Sequence, residues 1–416
     1  MIAREQNATA QIGGTPRRPY YAGPNLDRVE SIADLRARAH RLMPRFVLEY
    51  LEGGAGEEQA LAREREAYAD WFFVPRFLRD VSHRSASGQL LGKDARMPLA
   101  IAPTGLNGVF MLGADSALAR AAARFGVPFV QGTLSNESME DIARIPGLRH
   151  WWQLYVFGGE EIWTELVDRA ERAGCEALVL TVNAQQFGMR EWDSRQRGWM
   201  GLPHPISMLN SALHPRWAAT TMVKGMPSFP NVIDFIPKDK RSFFESASWI
   251  RSQMPKSLTW ENVARIRGRW KRPFFVKGLL HPDDIRAARD SGVDGVILGT
   301  HGGRQTDWSV SALDVLPEAR DILGSDKALY MSGGIRRGSD IIKAMALGAD
   351  AVLTGRATLY GLCAYGEKGA RKALELLEHE VRNDLAQIGI DKLTDLDMSY
   401  LRPAAHLATA NGQAPG

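Results

Sequence analysis

The stretch PFFVKGLLHPDDIRAARDSGVDGVILGT, residues 273–300, decides the fold. Two short apolar runs, 274–276 and 295–298, flank a segment whose apolar residues recur at helical spacing. Neither run alternates with polar residues, which is typical of a parallel strand buried on both faces. The stretch therefore predicts one strand–helix–strand unit.

The same unit recurs along the chain from Pro98 onward. The predicted strands are PLAIAPTG (98–105), PFVQGT (128–133), WWQLYV (151–156), ALVLTVN (177–183), PFFVKG (273–278), GVILGT (295–300), ALYMSGG (328–334) and AVLTGR (351–356). Helices are predicted near 115–125, 138–145, 159–173, 281–291, 310–322 and 338–346. Eight such strands favour an α/β fold, a (β/α)8 TIM barrel over 98–390. An open doubly wound sheet is the alternative, but no GxGxxG follows the first strand.

Segments outside the repeat have other patterns. Residues 29–67 have helical spacing with a break at Gly53-Gly54, so an N-terminal helical segment is predicted over 26–90. Residues 1–25 are expected to be a disordered tail and 401–416 a flexible one, which leaves 26–400 as the folded domain.

An insertion after the fourth strand, 184–258, is too long for an ordinary connection. It is rich in Trp, Met, Pro and basic residues. Three interpretations stay open: a lid over the site, a segment that docks peripherally on a membrane or a partner, and an insertion packed on the barrel exterior.

Composition excludes several function classes. The 416 residues carry 52 Lys and Arg against 48 Asp and Glu, and this net charge of +4 is too weak to indicate a nucleic-acid partner. The two cysteines form no CxxC pair, so we expect neither disulfides nor a metal site. No apolar run approaches the roughly 20 residues of a membrane span. A cytoplasmic protein is expected. The alternative, suggested by the insertion, is a protein that binds peripherally to the inner membrane.

Polar side chains follow most of the predicted strands. They are Thr104, Gln153, Tyr155, Thr181, Asn183, Lys277, His301, Arg304, Arg336 and Arg356. The carboxyl ends of barrel strands share one pocket, and burying so many polar groups is costly unless they bind something. The glycine–arginine turns SGGIRRGSD (332–340) and TGRA (354–357) follow strands seven and eight, where barrels commonly bind phosphate.

These motifs resemble a known family. PRFVLEYLEGGA (44–55), IAPTGLNG (101–108), FFVKG (274–278), HGGRQ (301–305), GGIRRGSDIIKAMALGA (333–349) and TGR (354–356) are similar to the FMN-dependent 2-hydroxyacid oxidases and dehydrogenases, most of all to the mandelate dehydrogenase branch. The resemblance implies FMN as cofactor and oxidation of an L-2-hydroxy acid to the 2-keto acid. It implies a quinone, another carrier or oxygen as electron acceptor, and a homo-oligomer of four or eight copies.

The resemblance also implies residue roles. His301 would be the base, accepting the proton of the hydroxyl or of the α-carbon; Lys277 would stabilise negative charge on the flavin, and Asn183 would orient His301. Tyr50, Tyr155, Arg190 and Arg304 would bind the substrate. The residues expected to bind the cofactor are Ala102, Pro103, Thr104, Gly132, Gln153, Thr181, Lys277, Ser332, Gly334, Arg336, Gly355 and Arg356.

Four departures from the family pattern, which together involve five residues, stand out. Asn183 replaces an aspartate that pairs with the histidine, and Ser332 replaces an aspartate that binds the ribityl chain. Gly299-Thr300 replaces Ser-Asn before the histidine, and Gly132 replaces a serine that contacts the flavin. These changes keep two alternatives open: oxidation or oxidative decarboxylation of a specialised metabolite, and a flavin-binding protein with low turnover. Leu134, where glycolate oxidase has an aromatic residue, and Phe187 indicate a roomy apolar pocket for an aryl or longer aliphatic hydroxy acid.

Overall fold

The computed structural model describes residues 18–195, 205–221, 225–255 and 257–405. The chain begins with three helices, α1 (Ile32–Leu42), α2 (Arg45–Glu52) and α3 (Gln59–Ala69). Ser31 caps α1 because its side chain accepts a hydrogen bond from the backbone N–H of Asp34. Three short strands follow: β1 (Trp71–Phe73), β2 (Gly88–Leu90) and β3 (Lys93–Ala95).

Eight parallel strands then close into a barrel, which confirms the predicted TIM barrel. They are β4 (Leu99–Ile101), β5 (Phe129–Gly132), β6 (His150–Leu154), β7 (Ala177–Thr181), β8 (Phe274–Leu279), β9 (Gly295–Leu298), β10 (Ala328–Ser332) and β11 (Ala351–Thr354). The barrel closes where Val352 of β11 pairs with Leu99 of β4. All eight predicted strands are present, since continuous apolar runs suit strands covered on both faces.

Helices surround the barrel. They are α4 (Ala114–Phe125), α5 (Met139–Ala143), α6 (Glu160–Arg172), α7 (Glu191–Arg195), α8 (Pro205–Ala212), α9 (Pro215–Thr221), α10 (Phe243–Ser252), α11 (Trp260–Arg269), α12 (Pro282–Asp290), α13 (Ala312–Leu323), α14 (Gly338–Ala346), α15 (Arg356–Tyr365) and α16 (Glu367–Ile388). None of the helices in the described ranges is long and apolar enough to cross a membrane.

Aromatic side chains fill the barrel interior. The ring of Phe275 lies 5.8 Å from Trp151 and 5.0 Å from Tyr330, measured between centroids. All three residues are buried, so the barrel has a packed core and its site lies at one end. The β2–β3 hairpin covers the opposite, amino-terminal end, where Arg149 donates a hydrogen bond to the carbonyl of Leu90.

Three predicted boundaries need correction. The N-terminal helices end at Ala69 and not near residue 90, because the aromatic run Trp71–Phe73 forms β1 and Pro75 follows it. Residues 401–403 are not part of a flexible tail: Leu401–Pro403 forms β12, which pairs with β1. Within the predicted N-terminal tail, the backbone N–H of Tyr21 donates to Asp34. The rest of both predicted tails, 1–17 and 406–416, lies outside the described residues.

Candidate active site

A cavity of about 990 Å³ lies at the carboxyl ends of the barrel strands. Helices α2 and α3 form one side of it, and the insertion 184–258 contributes α8, α9 and α10 as a roof. Apolar side chains of this roof and of the loop between α9 and α10 line the cavity; they include Trp217, Phe229, Phe243 and Phe244. Residues of the insertion therefore line the site, and the lid interpretation stays a prediction; residues 196–204, 222–224 and 256 of the insertion lie outside the described ranges.

His301 stands at the end of β9 in a strained turn. Its φ angle is +60°, and Gly302 and Gly303 continue with φ of +70° each. A histidine with a left-handed backbone conformation is uncommon. It persists only where the surrounding structure holds it, often at functional sites. The turn points the ring into the cavity, where its Nε2 lies 3.2 Å from the hydroxyl of Tyr155.

Asn183 orients this ring. Its Nδ2 donates to the carbonyl of Gly299 at 3.0 Å, so its Oδ1 is the atom that lies 3.2 Å from Nδ1 of His301. The amide oxygen can only accept, which places the proton on Nδ1 and leaves Nε2 as the free base. Burial lowers the pKa of His301 well below its ordinary value, and the positive charges of Lys277, Arg304 and Arg190 lower it further.

Two arginines share the cavity with the histidine. Arg304 donates to the carbonyls of Tyr50 and Gly53, and its guanidinium lies 5.0 Å from the centroid of the Tyr50 ring. Burial, reinforced by the charge of Arg190, lowers the pKa of Arg304 to about 9. Because two like charges sit close together, an anion bound between them would relieve their repulsion.

Lys277 lies near the carboxyl end of β8, beside Thr181 of β7, its partner in the register. It is 5% exposed, and burial lowers its pKa to about 8 while the negative charge of Glu64 opposes the shift. Gln153 belongs to β6, the neighbour of β7 on the side away from β8. Its Oε1 accepts a hydrogen bond from the backbone N–H of Thr133. Among the described residues, no partner reaches the buried Nε2 of Gln153 or the hydroxyls of Thr104 and Thr354.

Glycine-rich turns follow β10 and β11. Gly334 has φ of +69°, and a Cβ there would collide with the backbone carbonyl of Glu64, so only glycine fits. Helix α14 begins shortly after this turn, and Gly355 directly precedes α15. The N–H groups of such turns and helix starts suit an anion.

The chain matches the family model described as FMN-dependent dehydrogenase over residues 39–403. The chain belongs to the FMN-dependent dehydrogenase family. It is 42% identical over 379 residues to the (S)-mandelate dehydrogenase of Pseudomonas putida, covering 91% of this chain and 94% of that protein. It is 34% identical over 377 residues to the L-lactate dehydrogenase of Caulobacter sp. (strain K31), covering 90% and 98%.

Solved structures agree with this membership. A crystal structure of the monotopic membrane protein (S)-mandelate dehydrogenase superposes with a TM-score of 0.86 at 41% identity, covering 90% of this chain and all of that one. A mandelate oxidase with (S)-2-phenylpropionate superposes with a TM-score of 0.73 at 35% identity, covering 88% and 96%. This chain is accordingly an FMN-dependent oxidoreductase with a TIM-barrel fold.

The cavity fits FMN in this family member. The unpartnered Nε2 of Gln153 and hydroxyl of Thr104 can serve the polar edge of a flavin ring, while the buried ammonium of Lys277 offers a positive charge. A Cβ on Gly132 would lie 3.2 Å from the carbonyl of Thr104 and 3.3 Å from Oε1 of Gln153. The missing side chain thus opens space beside these groups.

The structure brings the predicted site residues together in one cavity. Those that line it are Tyr50, Ala102, Pro103, Thr104, Gly132, Gln153, Tyr155, Thr181, Arg190, Lys277, His301, Arg304, Ser332, Gly334, Arg336, Gly355 and Arg356, with Leu134 and Phe187 also in its wall. Asn183 is not among the lining residues, but its side chain contacts His301, which is.

Arg356 makes contacts that the sequence does not predict. Its Nε donates to the carbonyl of Leu51 and its Nη1 to that of Gly302, both at 2.9 Å, and its Nη2 donates to the backbone carbonyl of Glu52. The guanidinium therefore joins the end of α2 to the turn that carries His301. Within the described ranges, the Arg336 side chain by contrast donates a single hydrogen bond, to the carbonyl of Ile335.

Two groups of cavity residues were missed by sequence reasoning. Phe243, Ala247 and Ile250 of α10 line the roof, and their spacing of four and three residues is a helical signal that could have found them. Glu64 of α3 also lines the cavity. Its neighbours in the sequence, "REREAY" (63–68), give no signal that separates it from the exposed Glu66.

Proposed function

We propose that this FMN-dependent enzyme oxidises an L-2-hydroxy acid to the corresponding 2-keto acid. The observation that carries the proposal is the arrangement of His301 with Arg304 and Arg190 around one cavity. A flavin-binding protein with little turnover needs no base held as a single tautomer beside two carboxylate-binding arginines.

FMN supplies the two-electron acceptor when it is bound. Ala102, Pro103 and Thr104 would lie against its ring, with hydrogen bonds from Gln153 and Thr181 and the positive charge of Lys277. Gly334, Arg336 and the N-terminus of α15 at Gly355 would hold its phosphate. The small residues Gly132 and Ser332 complete this set.

The remaining side chains would bind and deprotonate the substrate. Arg304 and Arg190 would bind its carboxylate, and the cation–π contact of Arg304 with Tyr50 fixes the guanidinium plane. Tyr155 lies beside His301 Nε2 and would contact the substrate hydroxyl. Nε2 then accepts a proton, and the bound carboxylate offsets the positive charge that His301 acquires.

An aryl hydroxy acid fits the cavity best. Its roof, with the loop between α9 and α10, offers Trp217, Phe229, Phe243 and Phe244, and the smaller Leu134 widens the wall. Such a surface favours a ring over the methyl group of lactate. The similarity to (S)-mandelate dehydrogenase and to mandelate oxidase supports the same class.

Anaerobic mixing of the FMN-loaded protein with single hydroxy acids tests the function. We expect (S)-mandelate to bleach the flavin absorption and yield the 2-keto acid, faster than L-lactate and far faster than (R)-mandelate. Bleaching by another compound class alone would favour a specialised metabolite, and no bleaching by any of them would contradict the proposal. The electron acceptor and the assembly into four or eight copies stay predictions.

Replacing Asn183 by aspartate tests how the base is tuned. The carboxylate would stabilise the imidazolium and raise the pKa of His301, which burial and nearby cations now lower. We expect the acid side of the pH profile of kcat/KM to move to higher pH, because the base is then protonated sooner. An unmoved profile in a variant that still binds FMN would show that Asn183 does not act on the base.

We also propose peripheral membrane contact through the insertion. Leu209 and Leu213 around the end of α8 are 69% and 72% exposed, and Met189 is 81% exposed. Exposed apolar side chains that form a patch can bury themselves in the interfacial region of a membrane, and the similar (S)-mandelate dehydrogenase is described as a monotopic membrane protein.

Sedimentation with lipid vesicles measures this contact. Wild-type protein should co-sediment, and a Leu209→Glu, Leu213→Glu variant should stay in the supernatant because charged residues oppose burial in lipid. A matched variant at an exposed aromatic residue outside the insertion, Phe72→Glu in β1, should co-sediment like wild type. Equal sedimentation of all three proteins would contradict the proposal.

A further inference from the structure

Glu64 is a buried carboxylate with an unused oxygen. It is 2% exposed and lines the cavity from α3. One oxygen, Oε1, accepts a hydrogen bond from the hydroxyl of Thr300. No donor in the described part of the chain reaches Oε2, although that atom is buried. Leaving a buried acceptor without a partner is costly, so the arrangement favours a donor supplied by a ligand.

The position of Glu64 shows which part of a ligand it faces. Its carboxylate lies against Gly333, where a Cβ would collide with it, and so beside the turn proposed to hold the phosphate. The nearby positive charges are Arg356, Arg336 and Lys277, which oppose the rise in the pKa of Glu64 that burial causes. Lys277 is the residue proposed at the flavin ring. Glu64 thus lies between the ring site and the phosphate site.

The hydroxyls of FMN lie in that same interval, because the ribityl chain joins the ring to the phosphate. A carboxylate accepts hydrogen bonds from hydroxyls, whereas it repels a phosphate dianion. Position 332, at the end of β10, carries a serine where the family resemblance expects the carboxylate that binds this chain. In the described part of the chain, the hydroxyl of Ser332 makes one hydrogen bond, a long one of 3.4 Å to the carbonyl of Leu298.

We propose that Glu64 binds a ribityl hydroxyl of FMN, supplying from α3 the carboxylate that position 332 lacks. Thr300 holds the carboxylate by its other oxygen. Two of the departures from the family pattern, at 300 and 332, then belong to one relocated contact. This inference rests on the proposed flavin site and is independent of the substrate.

Titration of the apoprotein with riboflavin and with FMN, followed by quenching of flavin fluorescence, tests the proposal. Glu64→Gln keeps the shape but removes the negative charge, and we expect riboflavin to bind about 10-fold or more weakly because hydrogen bonds to a charged acceptor are stronger. FMN should also bind more weakly, by a smaller factor, because its phosphate gains from the lost negative charge. The matched control is Glu66→Gln on the exposed face of α3, which should change neither constant.

Ser332→Asp provides a second test that leaves Glu64 in place. With Glu64 present, the added carboxylate repels the existing one, so riboflavin should bind more weakly than to wild type. In the Glu64→Gln background the same substitution should strengthen binding.

The proposal is overturned if Glu64→Gln leaves riboflavin binding unchanged. It is also overturned if the only effect is stronger binding of FMN, which would place the carboxylate against the phosphate. An effect of Ser332→Asp that has the same sign in both backgrounds also overturns it. Failure of the wild-type protein to bind either flavin would instead contradict the flavin site itself.

Discussion

Replacing His301 by glutamine is expected to leave FMN bound and to slow its reduction by the hydroxy acid at least about 100-fold. Nε2 of His301 is the only base in the proposal, and the contact with Asn183 keeps it unprotonated. Glutamine has a similar reach but cannot accept the proton. Anaerobic stopped-flow mixing with (S)-mandelate measures the rate, and the flavin spectrum before mixing reports the bound cofactor.

A matched control for this variant is His281→Gln, a histidine on the surface at the start of α12. Its reduction rate should equal that of wild type. If His301→Gln is reduced as fast as wild type while it retains FMN, His301 is not the base.

Replacing Lys277 by methionine should slow reduction by about 100-fold or more and make the reduction potential of the bound flavin more negative. The ammonium is buried, and its pKa of about 8 leaves it charged at neutral pH. A fixed positive charge favours the negative charge that reduction leaves on the ring, and methionine fills a similar volume without the charge.

Lys271→Met is the control for Lys277, since it removes an exposed lysine just before the start of β8. It should change neither the rate nor the potential. A Lys277→Met protein whose potential equals that of wild type would show that the ammonium does not act on the flavin, whatever its effect on the rate.

The barrel could be predicted from the sequence because its strands carry an unambiguous signal. The run Gly295–Leu298, for example, is entirely apolar, is buried on both faces and is followed by a glycine turn. The three-residue strand Trp71–Phe73 gives no comparable signal. It pairs with Leu401–Pro403, more than 300 residues away, and local patterns do not encode such a partner.

The candidate site was predictable where a residue follows a strand, as His301 follows β9, because barrel topology brings strand ends together. Glu64 was not, since it lies on a helix before the barrel and its alternation with arginines equally suits an exposed surface. The roof was predictable as an insertion of unusual length, and the helical spacing within α10 was a signal for part of it. That Phe243 and Trp217 line the cavity depends on tertiary packing, which the local sequence does not encode.

The visible absorption spectrum of the purified protein, before and after anaerobic addition of (S)-mandelate, tests the central claim most directly. The arrangement of Gln153, Lys277 and the Gly333–Gly334 turn predicts a flavin band that survives gel filtration after loading with FMN and is lost when the hydroxy acid is added. A folded protein that stays colourless after incubation with FMN would contradict it.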